Sequence, residues 1–191
     1  MRVVLVTGNA HKVGELAAAL PGIAVDGLRL DAPPDETGST YAENARLKAH
    51  AGRTLAPPDA WVVGEDSGIE AEALDGAPGI RSARWDGDGV ARMLHELGGR
   101  SDRAARYVCT IVALGPAGEE LAVEGTLTGS IATEPRGAEG FGYDPIFVPD
   151  GESRTVAELG NAWKAAHSHR ARAAAALARA LGPSPSAGSS L

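Results

Sequence analysis

Residues 3–22 read VVLVTGNAHKVGELAAALPG and place three local signals in a row. Val3 to Val6 is a short β-branched run that predicts a strand, and Val13, Leu16, Ala17 and Leu20 then recur at helical spacing until Pro21-Gly22 stops them. Strand, turn and helix in that order open an α/β unit. The turn, TGNAHK at 7–12, lacks the G-x-x-x-x-G-K-[ST] of a Walker loop and the three spaced glycines of a dinucleotide fingerprint. The physics of a helix start remains: its free N–H groups carry partial positive charge and hold anions, and Thr7, Asn9 and Lys12 stand where they add donors. The same residues also read as a tight turn at Gly8, a helix cap at Asn9 and a solvated Lys12. Both readings stand on this stretch alone.

Further along, Thr40 and Glu43 have capping-box spacing ahead of an alanine-rich helix that reaches about Leu55 and ends at Pro57-Pro58. AWVVG at 60–64 predicts a buried strand, and IEAEAL at 69–74 alternates apolar with acidic like a separate, half-exposed strand. A short helix is expected from Val90 to Leu97. Tyr107–Leu114 and Glu120–Glu124 flank the turn-rich GPAGEE and read as a hairpin, and TLTGSIA at 126–132 adds another strand. One long helix is expected from Asn161 to Leu181. The hairpin rules out an all-parallel sheet, so the expectation is an α/β fold with a mixed central sheet and flanking helices. A single domain over 1–182 follows, with the low-complexity stretch 183–191 as a disordered tail.

Composition narrows the function classes. The chain of 191 residues is 43% hydrophobic and 23% charged, close to the globular average, and its apolar runs are too short to span a bilayer. A net charge of −7 argues against a broad nucleic-acid-binding face, so any phosphate is handled in a local pocket, with a metal. The single cysteine, Cys109, sits in an apolar run and reads as a buried structural thiol in a reducing compartment. With no signal-peptide pattern, the expected location is the cytoplasm.

Four stretches could carry chemistry. GEDSG at 64–68 follows an apolar strand, where open α/β sheets place their ligands, and strand geometry sends Glu65 and Asp66 to opposite faces. A carboxylate there can ligate Mg²⁺ or take a proton from water; it can also be an acidic turn. A second acidic loop, PPDETGST at 33–40, offers Asp35 and Glu36, and Mg²⁺ takes one or two carboxylates while leaving its other positions to water and phosphate. GAEGFGYDPIF at 137–147 sets glycines around Phe141, Tyr143 and Asp144, a stacking face beside an acceptor for the edge of a base. Phe147 reads as core; Phe141, between Gly140 and Gly142, does not. KAAHSHR at 164–170 is a short basic cluster in an acidic chain, and His167 and His169 are spaced wrongly for a joint metal site on one helix.

Taken together, TGNAHK, ETGSTYAENARLKA, EDSGIEAEALDGAPGIRSARW, EGTLTGSI, PRGAEGFGYDPIF and SHR occur in the order seen in the inosine/xanthosine triphosphate pyrophosphatase family, the Ham1-like hydrolases of noncanonical purine nucleotides, which this chain resembles from about Val3 to Ala180. The resemblance implies a homodimer whose two-lobed protomers enclose a nucleotide cleft, and hydrolysis of ITP, dITP and XTP to the monophosphate and pyrophosphate with Mg²⁺. By motif, Thr7, Gly8, Asn9, Ala10, His11 and Lys12 would contact the triphosphate. Glu36 and Asp66 would serve the metal, with Asp66 also the proton acceptor for the attacking water, and Lys48 would face the phosphates. Ser67 would hold the nucleotide, Phe141, Gly142, Tyr143 and Asp144 would stack on and read the base, and Lys164, His169 and Arg170 would complete the contacts. Glu65 stands where the family usually has a second Asp, and its extra length is expected to shift the outer metal contact while leaving Asp66 in place. His167 and Ala171 depart from the family's apolar residue before SHR and glycine after it. A Maf-like pyrophosphatase of modified or pyrimidine nucleotides and a nucleotide sensor without turnover are the competing readings.

Overall fold

The computed structural model describes residues 1–85 and 87–182. Its centre is a six-stranded sheet in the order β2-β1-β3-β4-β5-β6. Strands β1 (Arg2–Val6), β2 (Ala24–Leu28) and β3 (Trp61–Ala71) run parallel to one another. Strands β4 (Ala104–Leu114), β5 (Glu120–Ile131) and β6 (Phe147–Pro149) continue the sheet antiparallel. The mixed sheet expected from the hairpin is therefore present, and so is the opening strand-turn-helix: α1 spans Ala10–Ala19, capped by Asn9, whose side chain accepts the His11 N–H at 2.9 Å.

Helix α2 (Tyr41–Arg53) starts at Thr40, whose hydroxyl accepts the Glu43 N–H. The capping box is half made, because the Glu43 carboxylate turns to the backbone and hydroxyl of Ser39. The short helix α3 covers Gly89–Glu96. Among the described residues no helix is long and apolar enough to cross a membrane; the stretch 183–191 lies outside them.

Three expectations are corrected. GEDSG is not a turn after a strand, and IEAEAL is not a strand of its own. GEDSG and Ile69–Ala71 belong to the uninterrupted β3, whose pairing with β4 runs without a break from Val62↔Leu114 to Ala71↔Ala105, and Glu72–Leu74 form a 3-10 turn after it. Cross-strand hydrogen bonds on the β4 side outweigh the local turn preference of Asp66-Ser67-Gly68. Likewise TLTGSIA continues the second hairpin arm within β5. The long final helix is two helices, α4 (Val156–His167) and α5 (His169–Leu181), with extended backbone at Ser168, whose side chain accepts the Ala171 N–H and caps α5. A serine favours such a cap over a helix interior, and alanine-rich periodicity on both sides hides the break. The short strands β2 and β6 carry too few residues to show a period.

The sheet buries both faces. On one, α1 and α5 cover Val3, Leu5, Val63, Cys109 and Ile111 with Leu16, Leu20 and Leu177. On the other, Ala45 and Ala49 of α2 meet Val112 and Leu114. Helix α2 lies unusually close, since a Cβ built on Gly64 would fall 1.9 Å from the Ala45 carbonyl oxygen. Gly125 gives α5 the same room, with its virtual Cβ 2.2 Å from the His169 oxygen. These approaches carry α2 and the α4–α5 junction onto opposite faces of the sheet's middle.

A methyl group at Gly64 has no space unless α2 moves, so Gly64→Ala should cost about 3 kcal/mol in urea unfolding, as overpacking of a tight core does. Unchanged stability would show that α2 rides more loosely than the geometry states.

Candidate active site

Strand alternation places the two adjacent carboxylates of β3 on different faces, as expected. Asp66 faces α2. Its Oδ1 accepts from Lys48 Nζ at 2.9 Å and its Oδ2 from the Asn44 side-chain amide at 3.3 Å. Lys48 also reaches Glu36 Oε1 at 2.5 Å and the Glu65 carbonyl at 3.1 Å, so the loop of residues 33–40 is tied to the strand through one ammonium. Burial pushes the Asp66 carboxyl upward more than Lys48 pulls it down. For Lys48 burial acts downward, but the charge of Asp66 and the contact with Glu36 hold its ammonium above the usual lysine range.

These residues fit a divalent cation. Glu36 and Asp66 already converge on a single positive centre, and both present hard oxygen donors. Among the described residues no cluster of three or more His, Cys, Asp or Glu side chains could hold a metal. A cation here therefore needs further oxygens from elsewhere, which is how Mg²⁺ binds beside phosphates.

Glu65 faces α1 and α5. Its carboxylate meets Arg170 at 3.0 Å and Lys12 at 3.5 Å. Burial alone would raise this carboxyl, but Arg170 and Lys12 outweigh it and hold it far below the usual carboxylate range. The Glu65 carboxylate thus pairs on the other face of the strand from the Asp66–Lys48 pair. Burial also pushes the Cys109 thiol up, consistent with a structural thiol, 3.6 Å from Glu65 Oε1.

Two cavities flank this strand. The larger, about 820 Å³, is walled by the turn after β1 with Thr7, Gly8, Asn9 and Lys12, by the loop with Asp35 and Glu36, and by Lys48. Arg29 and Arg84 line it as well, and Arg84 is bonded to Glu36. The smaller, about 230 Å³, is lined by Ser67, Tyr107, Phe141, Gly142, Tyr143, Asp144, Lys164, His169 and Arg170. Asn9 and Lys12 line both. Phe147 is buried in the core, whereas Phe141 is 37% exposed at the mouth, with Lys164 Nζ 3.7 Å above its ring. His11 lies 6.0 Å from that ring, while Ala10 opens α1. Of the site residues the resemblance implies, Asp66 sits on β3 and Ala10 and His11 on α1, and the others line one or both cavities.

Several partners carried no motif signal of their own. Glu15 bonds both Arg170 and Lys164 from α1, one helical turn beyond Lys12. Asp144 is held by Lys164 at 2.7 Å, by the Phe141 N–H at 2.8 Å and by Tyr107 at 3.3 Å. The His169 ring stacks on Tyr107, centroids 4.6 Å apart and planes within 6°. Asn44 precedes Lys48 by one turn of α2, a spacing that identifies a shared face but not the target.

A profile of the Ham1 family matches residues 3–180. The chain belongs to the Ham1 family. It is 45% identical over 183 residues to a dITP/XTP pyrophosphatase of Deinococcus deserti, covering 92% of this chain and 87% of that one. A dITP/XTP pyrophosphatase of Leifsonia xyli is 45% identical over 95% of this chain and 96% of its own length. Among solved structures, the Staphylococcus aureus Ham1 protein superposes with a TM-score of 0.82 at 35% identity, covering 95% of this chain and 98% of that one. A nucleoside-triphosphatase / dITP/XTP pyrophosphatase of Mycobacterium abscessus gives 0.72 at 38%, covering 95% and 100%.

Burial, then the charges of Arg170 and Lys164, lower the His169 pKa well below the usual histidine value, and Glu65 only partly offsets this. The unfolded chain therefore binds a proton near pH 6.5 that the folded chain refuses, so this histidine removes stability as pH falls below that point. The slope should approach at most about 1.4 kcal/mol per pH unit. Urea titrations between pH 5 and 7 should show a smaller slope in His169→Asn than in the parent; equal slopes would place the proton uptake elsewhere.

Proposed function

We propose that this Ham1-family chain hydrolyses deaminated purine nucleoside triphosphates, ITP, dITP and XTP, to the monophosphate and pyrophosphate, removing deaminated purines from the nucleotide pool. The observation that carries the reading is the junction of two unlike cavities at Asn9 and Lys12, the larger walled by a helix start and by both cationic side chains and carboxylates, the other capped by an aromatic ring. The names of the relatives agree with it.

In this reading the triphosphate lies along Thr7 to Lys12 at the start of α1, where backbone N–H groups and the helix dipole favour anions. Lys48 turns from the carboxylates to a phosphoryl oxygen. Asp66 accepts the proton of the water that attacks the α-phosphorus; the new P–O bond forms as the bond to the bridging oxygen breaks, and pyrophosphate leaves. Burial raises the Asp66 carboxyl toward the range where a general base works best. Glu36 and Asp66 would hold a divalent metal, which we take to be Mg²⁺ and which when bound neutralises phosphoryl charge. The same resemblance leads us to propose a homodimer, which sedimentation equilibrium checks, and a cytoplasmic location, supported by the lone buried thiol.

The base belongs in the smaller cavity against Phe141. Hypoxanthine and xanthine carry an oxo group at the six-position where adenine has an amine, and hypoxanthine lacks guanine's two-position amine. Donors such as Lys164 and Arg170 suit an oxo edge, and an amino group there would set donor against donor in a buried setting.

Purified protein with Mg²⁺ should release pyrophosphate from ITP, dITP and XTP far faster than from ATP, dTTP or UTP. Orthophosphate as the first product, or equal turnover of ATP, would overturn the reading. Asp66→Asn should lose turnover by at least about 10²-fold, the contribution of a positioned base, while still binding ITP in calorimetry.

A further inference from the structure

Asn44 is fully buried beneath the site, and both ends of its side chain are used. Its oxygen accepts the Gly38 N–H at 2.9 Å, and its amide nitrogen donates to Asp66 Oδ2 at 3.3 Å. The Gly38 N–H is only a donor, so the amide has no choice of orientation: oxygen toward Gly38, NH₂ toward Asp66. Gly38 lies two residues after Glu36. The amide therefore bridges the segment that carries one carboxylate to the strand that carries the other.

Lys48, one turn further along α2, holds the second oxygen of Asp66, but it is shared among Asp66, Glu36 and the Glu65 carbonyl. Phosphate oxygens compete directly for such an ammonium. Asn44 is neutral, is locked at its far end and sits on the buried face of α2, the helix that Gly64 lets settle onto the strand.

We propose that Asn44 is a positioning residue for the hydrolytic reaction: it fixes the rotation of the Asp66 carboxylate and the spacing between Asp66 and the Glu36 segment when Lys48 turns to substrate. This rests on Asp66 being the reacting carboxylate. Asn44 acts through the Asp66 carboxylate it bonds, not on the substrate. A carboxylate at position 44 could accept from Gly38 but would face Asp66 as a second anion; alanine would leave both partners unmet.

The test compares Asn44→Ala, Asn44→Asp, Asp66→Asn and the exchanged pair Asn44→Asp with Asp66→Asn, measuring ITP turnover, ITP affinity, thermal melting and Mn²⁺ binding without nucleotide by water-proton relaxation. In Asn44→Ala, kcat should fall about 10²-fold, the cost of misplacing a reacting group by about 1 Å, with KM and ITP affinity within about threefold and Mn²⁺ binding weakened. Asn44→Asp should melt lower than the parent. The exchanged pair restores every hydrogen bond with the amide and carboxylate swapped, so it should regain the melting temperature yet not turnover. The proposal is overturned by a less than threefold change of kcat in Asn44→Ala, by loss of ITP affinity in parallel with kcat, or by an exchanged pair that melts no higher than Asn44→Asp. Turnover surviving in Asp66→Asn would instead sink the assignment of the base, and the melting of the exchanged pair would still decide whether Asn44 holds position 66.

Discussion

Two carboxylates buried side by side in the middle of a sheet each need a cation, because an unpaired buried charge costs several kcal/mol. Glu65 and Asp66 impose that requirement on opposite faces of β3, and the layers around the strand meet it separately. On one face α2 supplies Lys48 and Asn44. On the other, α1 supplies Lys12 and α5 supplies Arg170. The close approaches at Gly64 and Gly125 follow from the same need, since a helix one methyl group further away could not reach the strand with side chains of these lengths.

Much of the active site could be read in the sequence because its polar residues interrupt strong local patterns. TGNAHK breaks between a strand and a helix, and Phe141 stands between glycines where a core residue would not. Alternation along β3 separates Glu65 from Asp66 in the sequence as in the structure, although the sequence does not show how far the strand runs. Glu15, Asn44 and Tyr107 were not legible, for a physical reason. Each sits in a regular element with an ordinary helix or strand neighbourhood, and the side chain it bonds in the site lies more than 20 residues away in the chain. The break at Ser168 was hidden for a related reason: alanine fits either side of it, so periodicity alone does not report where one helix stops.

Glu65 shows what a buried ion pair contributes beyond its own contact. Lys12, Glu65, Arg170, Glu15, Lys164 and Asp144 alternate in sign along a chain of contacts from α1 through β3, α5 and α4 to the Phe141 segment. With three cations and three carboxylates the chain is neutral, which lets it stay buried beside two cavities. Glu65, Arg170, Lys164 and Asp144 are nearly fully buried, so their contacts have little water to screen them.

That neutrality also constrains how a nucleotide could enter. A phosphate that recruits Lys12 takes a cation from Glu65, whose charge then falls on Arg170, and Arg170 is shared with Glu15. Glu15 in turn holds Lys164, the cation over the Phe141 ring. A change at the phosphate end is thus felt, contact by contact, at the aromatic end. An aspartate in place of Glu65 would have one methylene less with which to reach Arg170 and Lys12. The longer residue keeps the network continuous on that face, while Asp66 is held separately on the other face by Asn44 and Lys48.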